Sequence, residues 1–223
     1  MPYHFNFVNN HIIADIGGKM CLIDTGAPTS MGEGEISIDN QGHLLGGGTA
    51  NGVSLREIAD HVGTPLDALI GGDILSKHGE MDIWLYKDLI LFSDGQEKFD
   101  GIPFELYMDI PVTSLNIKGK SVRAFVDTGA KQSYVSEALA TGLPHVGEAE
   151  DFYPGLGAFK VPLVSFEYSV KYRAGNLKFA IVPPALSQLL AAADCQVILG
   201  VDYMLSTGLE LFKFNYVHKM IGH

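Results

Sequence analysis

Cysteine is scarce in this 223-residue chain: Cys21 and Cys195 are its only two. Neither stands in a C-x-x-C or Cys/His spacing, and one pair builds no disulfide framework. Positive charge is also short, with 15 Lys and Arg against 26 Asp and Glu and a formal net charge of -11. Nucleic acid and anionic membrane both reward a basic face, so neither is expected as a partner. No window approaches about 18 uninterrupted apolar residues, so no transmembrane helix is expected. The segment Met1 to Asn6 lacks the basic and apolar regions of a secretory leader, and the expected compartment is the reducing cytoplasm. The eight histidines, at positions 4, 11, 43, 61, 78, 145, 218 and 223, show no H-E-x-x-H or comparable spacing. Surface or packing roles are expected for them, and neither a metal nor a cofactor is expected.

What the chain does have is apolar residues and glycine. Hydrophobic residues make up 47%, charged residues 18%, and there are 26 glycines. That composition supports a buried core and favours turn-rich β structure over long helices. The length suits one large domain or two of about 100 residues each.

An internal repeat favours two units. Asp24-Thr25-Gly26-Ala27 recurs 103 residues later as Asp127-Thr128-Gly129-Ala130. Each copy follows a Gly-Lys turn (Gly18-Lys19, Gly119-Lys120) and an apolar run, Cys21-Leu22-Ile23 or Ala124-Phe125-Val126. A second landmark, Leu69-Ile70-Gly71-Gly72-Asp73, is matched 129 residues on by Ile198-Leu199-Gly200-Val201-Asp202. The paired glycines Gly79 and Gly208 keep that offset, and an amphipathic strand pair follows each, Met81 to Phe92 and Leu209 to Ile221. The insert between landmarks is therefore 26 residues longer in the second half. The polar, Gly-containing stretch 93–101 is the natural seam, giving units over 1–98 and 99–223. Helices should be few and short. Ser54 to His61 opens on a capping box, Val135 to Thr141 reads as a turn or two, and Ala185 to Ala193 follows Pro183-Pro184.

On these motifs the chain resembles the aspartic proteases, and within them the retropepsin-like branch, over nearly its whole length. Alanine after the glycine is similar to the retroviral type; serine or threonine is commoner in pepsin-like enzymes. The resemblance implies an all-β fold with few short helices, bilobal and pseudo-twofold, built from two retropepsin-like β-barrel lobes. It implies that Asp24 and Asp127 are the catalytic pair, supported by Thr25, Gly26, Ala27, Thr128, Gly129 and Ala130. Thr25 and Thr128 would cross-bond between the loops. The chemistry suits these residue types, because two carboxylates about 3 Å apart cannot both ionise and share one proton. One can then take a proton from water while the other donates to a carbonyl oxygen, without metal or covalent intermediate. Glycine after threonine would permit close backbone approach and unusual dihedrals. Ala27 and Ala130 offer no hydroxyl to lower a carboxyl pKa, so a mildly acidic optimum is expected rather than a strongly acidic one.

The halves differ where a glycine-rich flap would lie. Tyr153, Gly155, Leu156 and Gly157 are candidate flap or substrate-facing residues, preceding a strand-like run from Val161 to Tyr172; Tyr168 and Tyr172 are further aromatic candidates. The first half has 39 positions between Ser30 and Leu69, and Gly46-Gly47-Gly48 there reads as a cleft-rim loop. A single flap, from the second half, is expected. Retroviral enzymes pair an acidic residue after the signature with an arginine in the downstream motif, which helps lock their dimer. Here Pro28-Thr29 and Lys131-Gln132 follow the signatures, and Gly72 and Val201 fill the arginine slots. Fusion of two lobes makes such a lock dispensable, so the active unit should be a monomer. Asp73 and Asp202 read as local caps or turn ligands. The expected activity is endopeptidase hydrolysis of a peptide or protein substrate. Two further readings are a protease-like scaffold that binds peptides without cleaving them and a weakly supported two-carboxylate metal site.

Overall fold

A computed structural model of the chain describes residues 1–50, 52–153, 157–171 and 173–222. The fold is all-β with a few short helices. The first half runs β1 (Tyr3–Val8), β2 (His11–Ile16), β3 (Lys19–Ile23), β4 (Met31–Gly32), β5 (Glu35–Ile38), β6 (Gln41–Leu44), β7 (Thr49–Ala50), β8 (Val53–Ser54), α1 (Leu55–Val62), β9 (Ala68–Ile70), α2 (Gly72–Leu75), β10 (Glu80–Trp84) and β11 (Leu89–Ser93). The second runs β12 (Ile102–Tyr107), β13 (Ile110–Ile117), β14 (Lys120–Val126), β15 (Tyr134–Val135), α3 (Glu137–Ala140), β16 (Gly147–Tyr153), β17 (Gly157–Val170), β18 (Arg173–Ile181), α4 (Pro184–Ala192), β19 (Val197–Leu199), α5 (Val201–Ser206), β20 (Leu211–Asn215) and β21 (Met220–Gly222). The linker between β11 and β12 falls within the polar seam.

Local chemistry accounts for most boundaries. Gly17 and Gly18 take positive φ in the turn that joins β2 to β3. At α1 the capping box forms as the sequence expects: Glu57 N–H donates to Ser54 Oγ at 3.2 Å, and Ser54 N–H donates to Glu57 Oε2 at 2.8 Å. Gly63 ends the helix with φ +85.

The repeated landmarks become repeated pairings. The apolar run before each signature lies parallel to the later apolar-Gly strand: Ile23 beside Ile70 in β3 and β9, Val126 beside Leu199 in β14 and β19. All four of those residues are buried, so each run is a central strand covered on both faces.

The halves meet along β10 and β20, which pair antiparallel with Met81 opposite Phe214 and Ile83 opposite Phe212. These four side chains are buried on one face of the joint. On the other face Lys213 Nζ reaches Glu80 Oε1 at 2.7 Å and Asp82 Oδ1 at 3.1 Å, while Asn215 Nδ2 donates to Glu80 Oε2 at 2.9 Å. Burying four large apolar side chains is worth about 1.5–3 kcal/mol each, against about 1 kcal/mol or less for a partly exposed ion pair. The apolar face therefore supplies most of the cohesion, and the polar face sets the register.

Tyr168 departs from its expected place facing substrate. It is buried among Val164, Phe166 and Val170 on the inward side of β17, with its ring 5.4 Å from that of Tyr203. Tyr172 lies outside the described residues. Cys21 is buried, and burial, with Asp67 next in effect, pushes its thiol up to about 12. His43 and His78 pair in the first-half core with Nε2 atoms 3.0 Å apart, and burial, then His43, lowers His78 to about 4.

Candidate active site

The signature loops bring Asp24 and Asp127 together at the junction of the halves, each carboxyl seated against the glycine of the opposite signature. Each loop is held identically. Asp24 N–H donates to Ile70 O at 3.0 Å and Asp127 N–H to Leu199 O at 2.9 Å. Asp24 Oδ1 accepts from Gly26 N–H at 3.0 Å and Ala27 N–H at 2.9 Å. Asp127 Oδ1 accepts from Gly129 N–H at 2.8 Å and Ala130 N–H at 3.1 Å. One oxygen of each aspartate is thus fixed by backbone donors.

Glycine after the threonine is required by contact alone. A Cβ at Gly26 would lie 2.1 Å from Asp127 Cγ, and one at Gly129 would lie 2.2 Å from Asp24 Cγ. Neither glycine has positive φ, so the unusual dihedrals expected from the sequence are not what selects it.

Thr25 and Thr128 tie the loops across the junction with four buried bonds. Thr25 N–H donates to Thr128 Oγ1 and Thr128 N–H to Thr25 Oγ1, both at 3.0 Å. The two hydroxyls then donate across to Val126 O and Ile23 O, both at 2.7 Å. Each hydroxyl accepts one bond and donates one, so the crossing satisfies both threonine N–H groups and both hydroxyls.

A further layer holds the loops from behind. Ser30 Oγ donates to Asp73 Oδ1 at 2.6 Å and accepts Gly71 N–H at 2.9 Å. Ser133 Oγ does the same with Asp202 Oδ1 at 2.5 Å and Gly200 N–H at 3.0 Å. Asp73 and Asp202 therefore bind the loop that follows each signature. Their serine partners were missed from sequence, although both stand six residues after the signature aspartate.

Burial is the first cause raising Asp24 well above the ordinary carboxylate range, followed by the Asp127 charge and hydrogen bond. Burial also raises Asp127, opposed by the Gly129 N–H bond. Two buried carboxyls this close resist ionising together.

Above the aspartates lies a cavity of about 440 Å³. Its first-half wall includes Met31, Thr49, Val53, Ile58 and Val62; its second-half wall includes Ile110, Phe125, Leu186 and Leu189. The walls are thus mostly apolar side chains around a polar floor.

The β16–β17 hairpin, paired from Gly147 opposite Leu163 to Tyr153 opposite Gly157, puts Phe152 and Tyr153 over the cavity. Burial, then the charges of Asp127 and Asp24, raise the Tyr153 phenol. Gly157 takes φ +78 at the start of β17, while Gly155 and Leu156 lie outside the described residues. In the first half the β5–β6 hairpin turns away from the cleft. Ile36 and Ile38 are buried in the core, and nothing from 32–48 lines the cavity. Sequence reasoning also missed His11, His61, Lys131 and Asp151, which come together at the cavity's edge. No local spacing announces them, because they come from four separate segments. Among the described residues no group of three or more His, Cys, Asp or Glu is arranged to hold a metal ion.

No family model and no curated protein matches the chain. Among solved structures, the foamy viral protease-reverse transcriptase in complex with an RNA/DNA hybrid is similar at 18% identity and a TM-score of 0.34, over 42% of this chain and 11% of that one. The protease of simian foamy virus (mac), solved in solution, is similar at 17% identity and a TM-score of 0.31, over 43% of this chain and 97% of that one. The chain thus spans about a tenth of the first protein and nearly all of the second. Neither likeness carries a residue role across.

Proposed function

We propose that this protein is an aspartic endopeptidase of two retropepsin-like lobes in one chain, with Asp24 and Asp127 as its catalytic pair. The observation that carries the reading is the pairing of two equivalent carboxyls beneath an apolar cleft, each with one oxygen anchored by backbone N–H groups.

A water held between the aspartates loses a proton to the ionised carboxylate as its oxygen bonds to the scissile carbonyl carbon. The protonated carboxyl donates its proton to the carbonyl oxygen, giving a neutral tetrahedral diol. Transfer of a proton to the amide nitrogen then lets the C–N bond break, releasing a carboxylic acid and an amine, and the pair again holds one proton. The substrate lies as an extended strand in the cleft, and the β16–β17 hairpin serves as the flap. Both aspartates come from one chain, so the monomer is a complete active unit.

Digestion of a peptide library by wild type, Asp24→Asn and Asp127→Asn tests the reading. Cleavage should fall by at least about a hundredfold in each single variant. The wild-type rate should peak in mild acid; a maximum near pH ~2 would contradict the lack of a hydroxyl at Ala27 and Ala130. Retained peptide binding by a wild type that never cleaves would make the chain a binding scaffold instead.

A further inference from the structure

Between the flap strand and the first half lies a cluster that the proposed chemistry does not use. His61, on the last turn of α1, stacks on Phe152 with ring centroids 4.7 Å apart and planes at 24°. Its Nε2 lies 3.5 Å from Asp151 Oδ1. Asp151 is 7% exposed and is tied into its own half: the Tyr134 hydroxyl donates to it, Lys131 Nζ lies 3.4 Å away, and it accepts Phe152 N–H at 2.8 Å. Behind His61, His11 of β2 meets it edge-on at 6.1 Å, and His11 Nδ1 donates to Val8 O at 3.2 Å. An anchored ring in the first half thus meets an anchored carboxylate and a phenyl ring in the second.

Elsewhere β16 is held from its own half, where Ala149 and Tyr153 pack against the second-half apolar cluster. Gly147, Glu148 and Glu150 are exposed, and among the described residues the strand pairs with β17 alone. The next residue after Phe152 is Tyr153, which faces the aspartates. The first-half hairpin packs away from the cleft, so α1 is the element that faces the flap from the other side.

We infer that His61 is a positioning residue, docking the flap strand of the second half onto the first through Phe152 and Asp151 and so holding the cleft covered. The inference rests on the protease reading for its meaning, but the contact can be measured without catalysis. The dock should also respond to pH. The charged and titratable groups facing His61 are Asp151 from β16, Lys131 from the second signature loop and His11 from β2. Burial, then Lys131, lowers the His61 pKa from the ordinary 6.5, while Asp151 opposes the shift. The docked state therefore binds a proton less readily than the undocked one. Docking is at full strength above the free imidazole value and weakens as pH falls through the docked one.

Hydrogen exchange of residues 147–153 tests this in an Asp24→Asn background, comparing His61→Ala and His61→Phe with the parent at pH 7.5 and 5.5. At the higher pH, His61→Ala should exchange about three- to tenfold faster than the parent, the loss of one ring stack, while His61→Phe keeps the stack and stays within about twofold. At the lower pH the parent should approach His61→Ala, while His61→Phe should stay protected. With Asp24 intact, His61→Ala should raise KM about three- to tenfold with kcat within about twofold, because binding must then draw on a smaller closed population. If His61→Ala misfolds, Phe152→Leu removes the stack from the other side and should accelerate exchange likewise. Parent-like exchange in a folded His61→Ala or Phe152→Leu protein would overturn the dock while leaving the protease reading intact. Faster exchange in a chain that cleaves no peptide would support the dock and sink the protease reading.

Discussion

The two halves agree where they meet and diverge where they face the cleft. At the junction, each of the four threonine bonds differs from its counterpart by less than can be seen at a tenth of an ångström. Away from it, the first half folds its hairpin back onto Ile36 and Ile38, whereas the second brings the end of β16 over the cavity. Close packing explains the contrast. A loop whose threonine N–H and hydroxyl bond to the opposite loop can change on neither side without leaving a buried group unpaired. A hairpin fixed only by its own ladder and a few side chains can lengthen or turn without that penalty. Symmetry is thus retained at the chemistry, and asymmetry is free to set access.

The largest expected effect tests the symmetric part. Thr25→Val and Thr128→Val each leave a buried N–H and a buried carbonyl without the hydroxyl they share, at about 2–5 kcal/mol. Urea unfolding should give two losses that agree within about 1 kcal/mol; a clear disparity would mean that one half bears the junction for both. The seam offers an asymmetric test of intermediate size. Asn215 is fully buried and donates to Glu80 Oε2 and Gly95 O, both at 2.9 Å, while its Oδ1 accepts His218 N–H at 2.8 Å. Asn215→Ala should cost about 2–4 kcal/mol, with cleavage by the protein that remains folded changed little. A loss of cleavage without a loss of stability would place the seam in the catalytic machinery.

The smallest effect concerns the aspartates as folded-state burdens. Both carboxyls are held above their ordinary range, first by burial. For an acid whose folded pKa is raised, the folded state binds the proton more tightly than the unfolded chain does. Stability then improves as pH falls through the folded value and is penalised above it. Asp24→Asn should accordingly raise the Tm by about 2–4 °C at pH 7.5, with the gain shrinking in acid. Asp127→Asn should show a gain of the same sign, since burial raises that carboxyl too. Scanning calorimetry across pH tests both variants, and a pH-independent gain would remove this account.

Much of the site was legible because its parts are local and repeated. The Asp-Thr-Gly-Ala copies and the apolar-Gly strands could be aligned from offsets alone, and Ser54 with Glu57 marked the start of α1. Some signals were present but unread. Ser30 and Ser133 carry the same offset as the aspartates. Val164, Phe166, Tyr168 and Val170 alternate along one face of β17, a period of two that assigns Tyr168 to the core. Other features had no local signal at all. His61 and Asp151 are far apart in the chain, and neither sits in a spacing that names the other.

By itself, the sequence determined the two signature loops, the apolar strands that thread behind them and the unequal lengths of the two inserts. These follow from spacing, side-chain polarity and turn chemistry, all of which act over a few residues. Tertiary structure alone decided which side chains pair along β10 and β20 and which meet at the cavity's edge. Those outcomes depend on how surfaces distant in sequence fill the space between them, and close packing across that space has no counterpart in the order of residues along one strand.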